Sequence, residues 1–105
     1  MISGSLIISL LIGMQGIMAA NERTQFSRCL RAFVDSKLEE RMAAPAFETA
    51  VASACAQQET AYRTAYIAAA TRAGDSRSRA ESDARIEVQD LRDNFKELFQ
   101  NAQPE

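Results

Sequence analysis

The sequence has no histidine and no tryptophan, and its 105 residues include only two prolines, four glycines and two cysteines. The lack of histidine excludes an imidazole general base and any metal site that contains histidine. There is no glycine-rich phosphate loop, and no serine or cysteine stands in a motif that pairs it with a base. We therefore expect a protein that is not an enzyme and that needs no cofactor.

The chain also lacks an excess of basic residues. Its 12 lysines and arginines are opposed by 14 aspartates and glutamates, which gives a formal net charge of −2. Both signs are mixed along the sequence, whereas a protein that binds nucleic acid usually has a clustered basic excess. The sequence therefore predicts no nucleic-acid partner.

Residues 1–20 carry no charge at all, and every charged side chain lies from Glu22 onward. The apolar centre from Leu6 to Ile12, followed by small residues at Ala19 and Ala20, is typical of a secretory signal peptide. We predict that residues 1–20 are a cleaved signal peptide. Residues 21–105 would then form a domain that is periplasmic or secreted.

Two alternatives to cleavage remain open. A segment of about 20 residues is long enough to span a membrane, and Arg23 and Arg28 follow it closely. The positive-inside rule would then keep the main body in the cytoplasm and make the segment an inner-membrane anchor. An internal start at Met14 or Met18 would instead leave a cytosolic protein.

Apolar residues recur at spacings of three and four in three successive segments, which is the pattern of amphipathic helices. We predict helices at about residues 22–43, 45–73 and 79–102. Their predicted inner faces include Phe26, Leu30, Val34, Phe47, Val51, Val88, Leu91 and Phe95.

Local signals mark the two predicted helix boundaries. Pro45 disfavours helical geometry in Ala44 and suits the first turn of a new helix. Gly74 is a natural left-handed stop, and Ser78 with Glu81 fits a capping box at the start of the third helix. The connections are therefore short.

Three helices of comparable length with short connections predict an all-α fold, a small antiparallel three-helix bundle in up-down-up order. The alternative is that Gly74 is absorbed into a helix, so that the second and third helices form one continuous rod. The capping signals favour the three-helix form.

The two cysteines test the first hairpin independently. The midpoint of Cys29 and Cys55 is residue 42, close to the turn that Ala44 and Pro45 indicate. Residues at equal height in an antiparallel hairpin lie symmetrically about its turn, so the cysteines can face each other. An even number of cysteines in an exported protein predicts a disulfide. A disulfide that closes a loop of this length stabilises the fold by roughly 3 kcal/mol.

Charged residues of the third helix are interpreted as a solvated face. Its acidic residues are interleaved with Arg85, Arg92 and Lys96 and no ligand loop is present, so we predict no metal site. The acidic set comprises Glu81, Asp83, Glu87, Asp90, Asp93 and Glu97.

The second helix carries the candidate surface for a partner, Tyr62, Arg63, Tyr66 and Arg72. The two tyrosines are one turn apart and also fit the rim of a core, with packed rings and exposed hydroxyls. We expect a non-catalytic binding or structural protein of the cell envelope whose partner is an envelope protein or other envelope component. The alternative is a membrane-tethered helical protein that retains residues 1–20 and acts in a coiled assembly. The sequence does not define its oligomeric state.

Overall fold

A computed structural model describes the backbone of residues 2–103 and the side chains of residues 16–103. It contains four helices, α1 (Ile2–Glu39), α2 (Ala44–Val51), α3 (Ala56–Arg72) and α4 (Arg77–Ala102). The all-α class is confirmed, and residues 2–103 include no strand. The predicted three-helix bundle is wrong in its helix count, because the second predicted helix is interrupted.

Helix α1 ends at Glu39, four residues earlier than predicted. Arg41 adopts a left-handed φ of 58°, and the amide of Met42 donates to the carbonyl of Lys37 at 3.0 Å. This arrangement satisfies carbonyls that the last helical turn would otherwise leave unpaired. Helix α2 then begins with Pro45 in its first turn, which confirms the predicted start of a new helix at this point.

The helix predicted at residues 45–73 is interrupted at residues 52–55. Cys55 has a left-handed φ of 62°, a conformation that costs a non-glycine residue about 1–2 kcal/mol. The amide of Ala54 bonds to the carbonyl of Val51 at 3.3 Å, in a turn tighter than an α-helix. The prediction of one continuous helix is therefore wrong, and its first part is the separate helix α2.

The turn between α3 and α4 follows local signals, although the predicted cap is misplaced. Gly74 has a φ of 111°, and the amide of Asp75 donates to the carbonyl of Ala70 at 3.0 Å. The N-cap of α4 is Ser76, whose hydroxyl accepts a bond from the amide of Arg79 at 3.1 Å. The predicted capping box of Ser78 and Glu81 is wrong, because Ser76 takes the cap two residues earlier.

The helices enclose one cluster of buried apolar side chains. Helix α1 packs against α3 and α4, α3 packs against α4, and α2 lies mainly on α4. The rings of Phe47 in α2 and Phe99 in α4 are stacked with centroids 3.8 Å apart. Because α3 and α4 pack on each other, the alternative of one continuous rod is wrong. The buried cluster contains Phe26, Leu30, Val34, Phe47, Val51, Tyr62, Val88, Leu91 and Phe99.

A disulfide joins Cys29 of α1 to Cys55 at the start of α3, with the two Cα atoms 6.0 Å apart. The predicted pairing is therefore confirmed. The bond connects the C-terminal third of α1 to the break between α2 and α3, so it fixes the position of that break against α1.

Helix α1 passes without interruption through the predicted domain boundary between Ala20 and Asn21. Met1 and the side chains of residues 2–15 in the predicted signal peptide lie outside the described residues, as do residues 104–105 of the predicted domain. Cleavage after residue 20 remains a prediction. None of the described helices is both long enough and apolar enough to cross a membrane.

Candidate functional site

Tyr62, the first predicted site residue, belongs to the core. Its side chain is only 3% exposed, and its ring lies 6.3 Å from that of Phe26 and 6.2 Å from that of Tyr66. Tyr66 is half-buried. The structure therefore joins the two tyrosines in one aromatic contact, in which Tyr66 is the member that reaches the surface.

Both phenols are held in the neutral form. Burial raises the pKa of Tyr62, and the carboxylate of Glu87 raises it further, whereas the guanidinium of Arg23 lowers it. Burial also raises the pKa of Tyr66, and Glu87 and Asp83 add to that effect. Each tyrosine thus presents a hydroxyl that can donate a hydrogen bond up to alkaline pH.

The two predicted arginines lie in different surface depressions. Arg63 faces α4 across a groove and lies 3.5 Å from Glu59, measured between Nη1 and Oε2. Arg72, in the last turn of α3, lines a shallow cavity of about 360 Å³ with Thr64 and Arg77. Arg63 and Arg72 thus line different cavities, although Thr64 lines a cavity with each of them.

The groove beside Arg63 has the most concentrated positive charge among the described cavities. It lies between α3 and α4, has a volume of about 380 Å³ and has Ala52 and Val88 as its apolar lining. We call it the cationic groove. Its polar lining consists of Glu59, Arg63, Arg85, Gln89, Arg92 and Lys96.

Arg92 forms the floor of the cationic groove and is 4% exposed. Its Nη1 donates to the carbonyls of Val51 and Ala54, the second at 2.8 Å, and its Nη2 donates to Glu59. The guanidinium carbon also lies 5.1 Å from the centre of the Phe26 ring. A buried guanidinium is tolerated because every contact supplies an acceptor, an opposite charge or an aromatic face.

The interpretation of Arg92 as part of a solvated face was wrong. A signal for its burial exists in the sequence, because residues 88, 92, 95 and 99 follow the spacing of four, three and four that marks an inner helical face. Arginine can occupy such a position when backbone carbonyls and a carboxylate meet its planar fork. Here they come from the break at residues 52–55 and from α3.

The remaining cations lie above this floor. Lys96 is 3.5 Å from Asp93, and Gln89 donates to the same carboxylate at 2.8 Å. Arg85 is exposed and forms no ion pair with any side chain that the structure describes. The Nε of Arg63 is buried and has no acceptor among the described residues. The groove therefore contains hydrogen-bond donors, on Arg63 and Arg85, that have no acceptor among the described residues.

The predicted solvated character of the remaining charges is in keeping with their pairing. Glu81 bonds to Arg77 at 2.9 Å, and Asp83 lies 3.9 Å from Arg79, with exposed or half-exposed side chains in each pair. Residues 16–103 contain no group of three or more acidic or cysteine side chains placed to hold a metal ion. Glu81 and Asp83 thus act as partners of neighbouring arginines on α4.

Comparison with protein families, with curated proteins and with solved structures finds no match to this chain. The functional assignment therefore depends on three structural features: a helical body, a disulfide and the cationic groove.

Proposed function

We propose that this chain is a small exported protein of the cell envelope that binds a partner without catalysis, and that it does so through the α3–α4 side of the helical body. The observation that carries the proposal is the Cys29–Cys55 disulfide. Such bonds persist in oxidising compartments and are rare in the cytosol. Both cysteines of the chain form this bond, and neither is left as a free thiol. This supports a structural role for the two cysteines.

The binding side follows from the distribution of accessible donors. Tyr62 is removed from the predicted surface by burial, whereas Arg63 and Arg85 face the cationic groove. Surface concavities with convergent polar groups are the usual location of binding sites. We therefore propose the groove between α3 and α4, and not the surface around the tyrosines, as the binding surface for the partner.

Intact mass spectrometry tests this proposal. The full chain is produced in bacterial cells, and the periplasmic extract is measured with and without a reducing agent. We expect a mass that begins at Asn21 and increases by two hydrogens on reduction, because export removes residues 1–20 and oxidation pairs the thiols. A chain found only in the cytosol with two free thiols would contradict the proposal.

One observation favours the membrane-tethered alternative, in which residues 1–20 are retained. Helix α1 is continuous from Ile2 to Glu39, and Met18 contributes to a cavity that Ala65 and Ala68 of α3 also line. The same mass measurement separates the two functions. A mass that includes residues 1–20, found in the membrane fraction, would favour the tethered protein acting in a coiled assembly.

A further inference from the structure

We propose that the cationic groove binds an extended acidic peptide segment of a partner protein. This inference rests on the proposed binding role and names the chemistry of the partner. It is based on the position of Arg63 on α3 relative to Arg85 and Lys96 on α4, which line the same groove. At the floor of the groove, Arg92 is already paired with Glu59.

The charge balance of the groove is opposite to that of the chain. The whole chain has a formal net charge of −2, yet the groove is lined by four cationic side chains and a single carboxylate. That carboxylate, Glu59, is already paired with Arg92 and lies near Arg63. Lys96 also lies 3.5 Å from Asp93, which does not line the groove. The four cations still exceed these two carboxylates, so a ligand that enters the groove is selected for negative charge.

The spacing of the cations favours a chain of carboxylates over one compact anion. Arg85 and Lys96 are eleven residues apart on α4, which is about 16 Å along the helix axis. An extended peptide covers that length with about five residues. A single phosphate would contact only one end of this row of cations.

The remaining lining suits a peptide as well. Ala52 and Val88 offer apolar contact to the aliphatic part of a glutamate side chain, and the side-chain amide of Gln89 lies among the cations. The Arg63 side chain is 41% exposed, so an acidic segment in the groove can reach its guanidinium. Arginine forks recognise carboxylates through paired hydrogen bonds.

Fluorescence anisotropy with a labelled octapeptide of alternating glutamate and serine tests the inference on the full oxidised chain at low ionic strength. We expect saturable binding that weakens as salt is added. The double variant Arg85→Glu/Lys96→Glu should bind at least about tenfold more weakly, because two attractive contacts become repulsive. The matched control is Arg28→Glu/Arg31→Glu, which makes the same charge change at two exposed positions of α1 and should retain the Kd within about twofold.

Several outcomes would overturn the inference. Absence of saturable binding, or equal weakening in both double variants, would show that the groove does not select the peptide. If inorganic phosphate, added at the same concentration of negative charge as the peptide, displaces the peptide completely, the groove is a site for small anions. Concentration-dependent self-association in sedimentation experiments, lost in Arg85→Glu/Lys96→Glu, would show that a second copy of the chain occupies the groove.

The proposed function fails or holds separately from this inference. Export and the disulfide are read from the mass of the periplasmic protein, which does not depend on peptide binding. If the mass is as expected and the octapeptide does not bind, only the acidic-peptide assignment is refuted. If the protein remains cytosolic and reduced, the envelope role is refuted whatever the anisotropy shows.

Discussion

Two of the three breaks between the described helices are built in opposite ways. At residues 73–76, which we call the local turn, Gly74 and Ser76 supply the left-handed residue and the N-cap from within the turn itself. At residues 52–55, which we call the tertiary break, the carbonyls are satisfied by Arg92 from α4, and Cys55 is bonded to α1. One interruption is therefore specified by its neighbours in sequence, and the other by residues far along the chain.

The difference has an energetic side. Glycine adopts positive φ without steric cost, whereas Cys55 does so against a penalty of about 1–2 kcal/mol. The tertiary break persists because a disulfide and a buried guanidinium offset that penalty. We therefore expect substitutions at the tertiary break to destabilise the fold more than substitutions at the local turn.

The largest expected effect is that of Arg92→Ala. The substitution leaves the carbonyls of Val51 and Ala54 without their donor and Glu59 without its buried partner. Removal of one member of a buried pair typically costs about 3–5 kcal/mol, so the urea midpoint should fall sharply. The measurement is urea unfolding of the oxidised protein followed by far-ultraviolet circular dichroism.

Arg85→Ala is the matched control for this prediction, because Arg85 lines the same groove from the same helix but is exposed. Its free energy of unfolding should change by no more than about 0.5 kcal/mol. Equal urea midpoints for Arg92→Ala and Arg85→Ala would show that Arg92 does not hold the tertiary break.

Loss of the disulfide should have the next largest effect. The two cysteines are separated by 26 residues, and a loop of that length reduces the entropy of the unfolded chain enough to stabilise the fold by about 3.5 kcal/mol. Cys29→Ser/Cys55→Ser should lose this amount in urea unfolding. Reduction of the unmodified protein serves as the control and should give the same midpoint. A double variant as stable as the oxidised protein would contradict the role of the bond.

The parts of the fold that the sequence predicts are those specified by periodicity and short-range signals. The inner positions Phe26, Leu30 and Val34 of α1 are buried as their spacing indicates. Gly74 ends α3, and Pro45 lies in the first turn of α2. The cysteine pairing was also predictable, because the midpoint of the pair could be compared with an independently placed turn.

The tertiary break was not predictable from local signals. Residues 52–55 contain neither glycine nor proline and read as continuous helix. Arg41 and Cys55 both have left-handed φ values although neither is glycine. The conformational preferences of these residue types therefore predict neither break. The cationic groove was missed for the same reason, because it requires knowing that α3 and α4 lie side by side and that Arg92 is buried.

At the local turn, Gly74→Ala should cost about 1–2 kcal/mol. The Cβ that alanine adds at residue 74 meets no atom within 4 Å, so the cost comes from the backbone at a φ of 111° alone. The midpoint of thermal unfolding should therefore fall, and an unchanged midpoint would refute the backbone explanation.

The smallest effect concerns the N-cap of α4 and decides between the predicted cap and the observed one. Ser76→Ala removes the acceptor of the Arg79 amide and should cost about 1 kcal/mol. Ser78→Ala alters an exposed position inside the first turn of α4, where alanine is the better helix former, and should be neutral or stabilising by a few tenths of a kcal/mol. Thermal unfolding of both variants distinguishes the two serines. A larger loss at Ser78 than at Ser76 would restore the capping box and start α4 two residues later, so the local turn would need a longer loop.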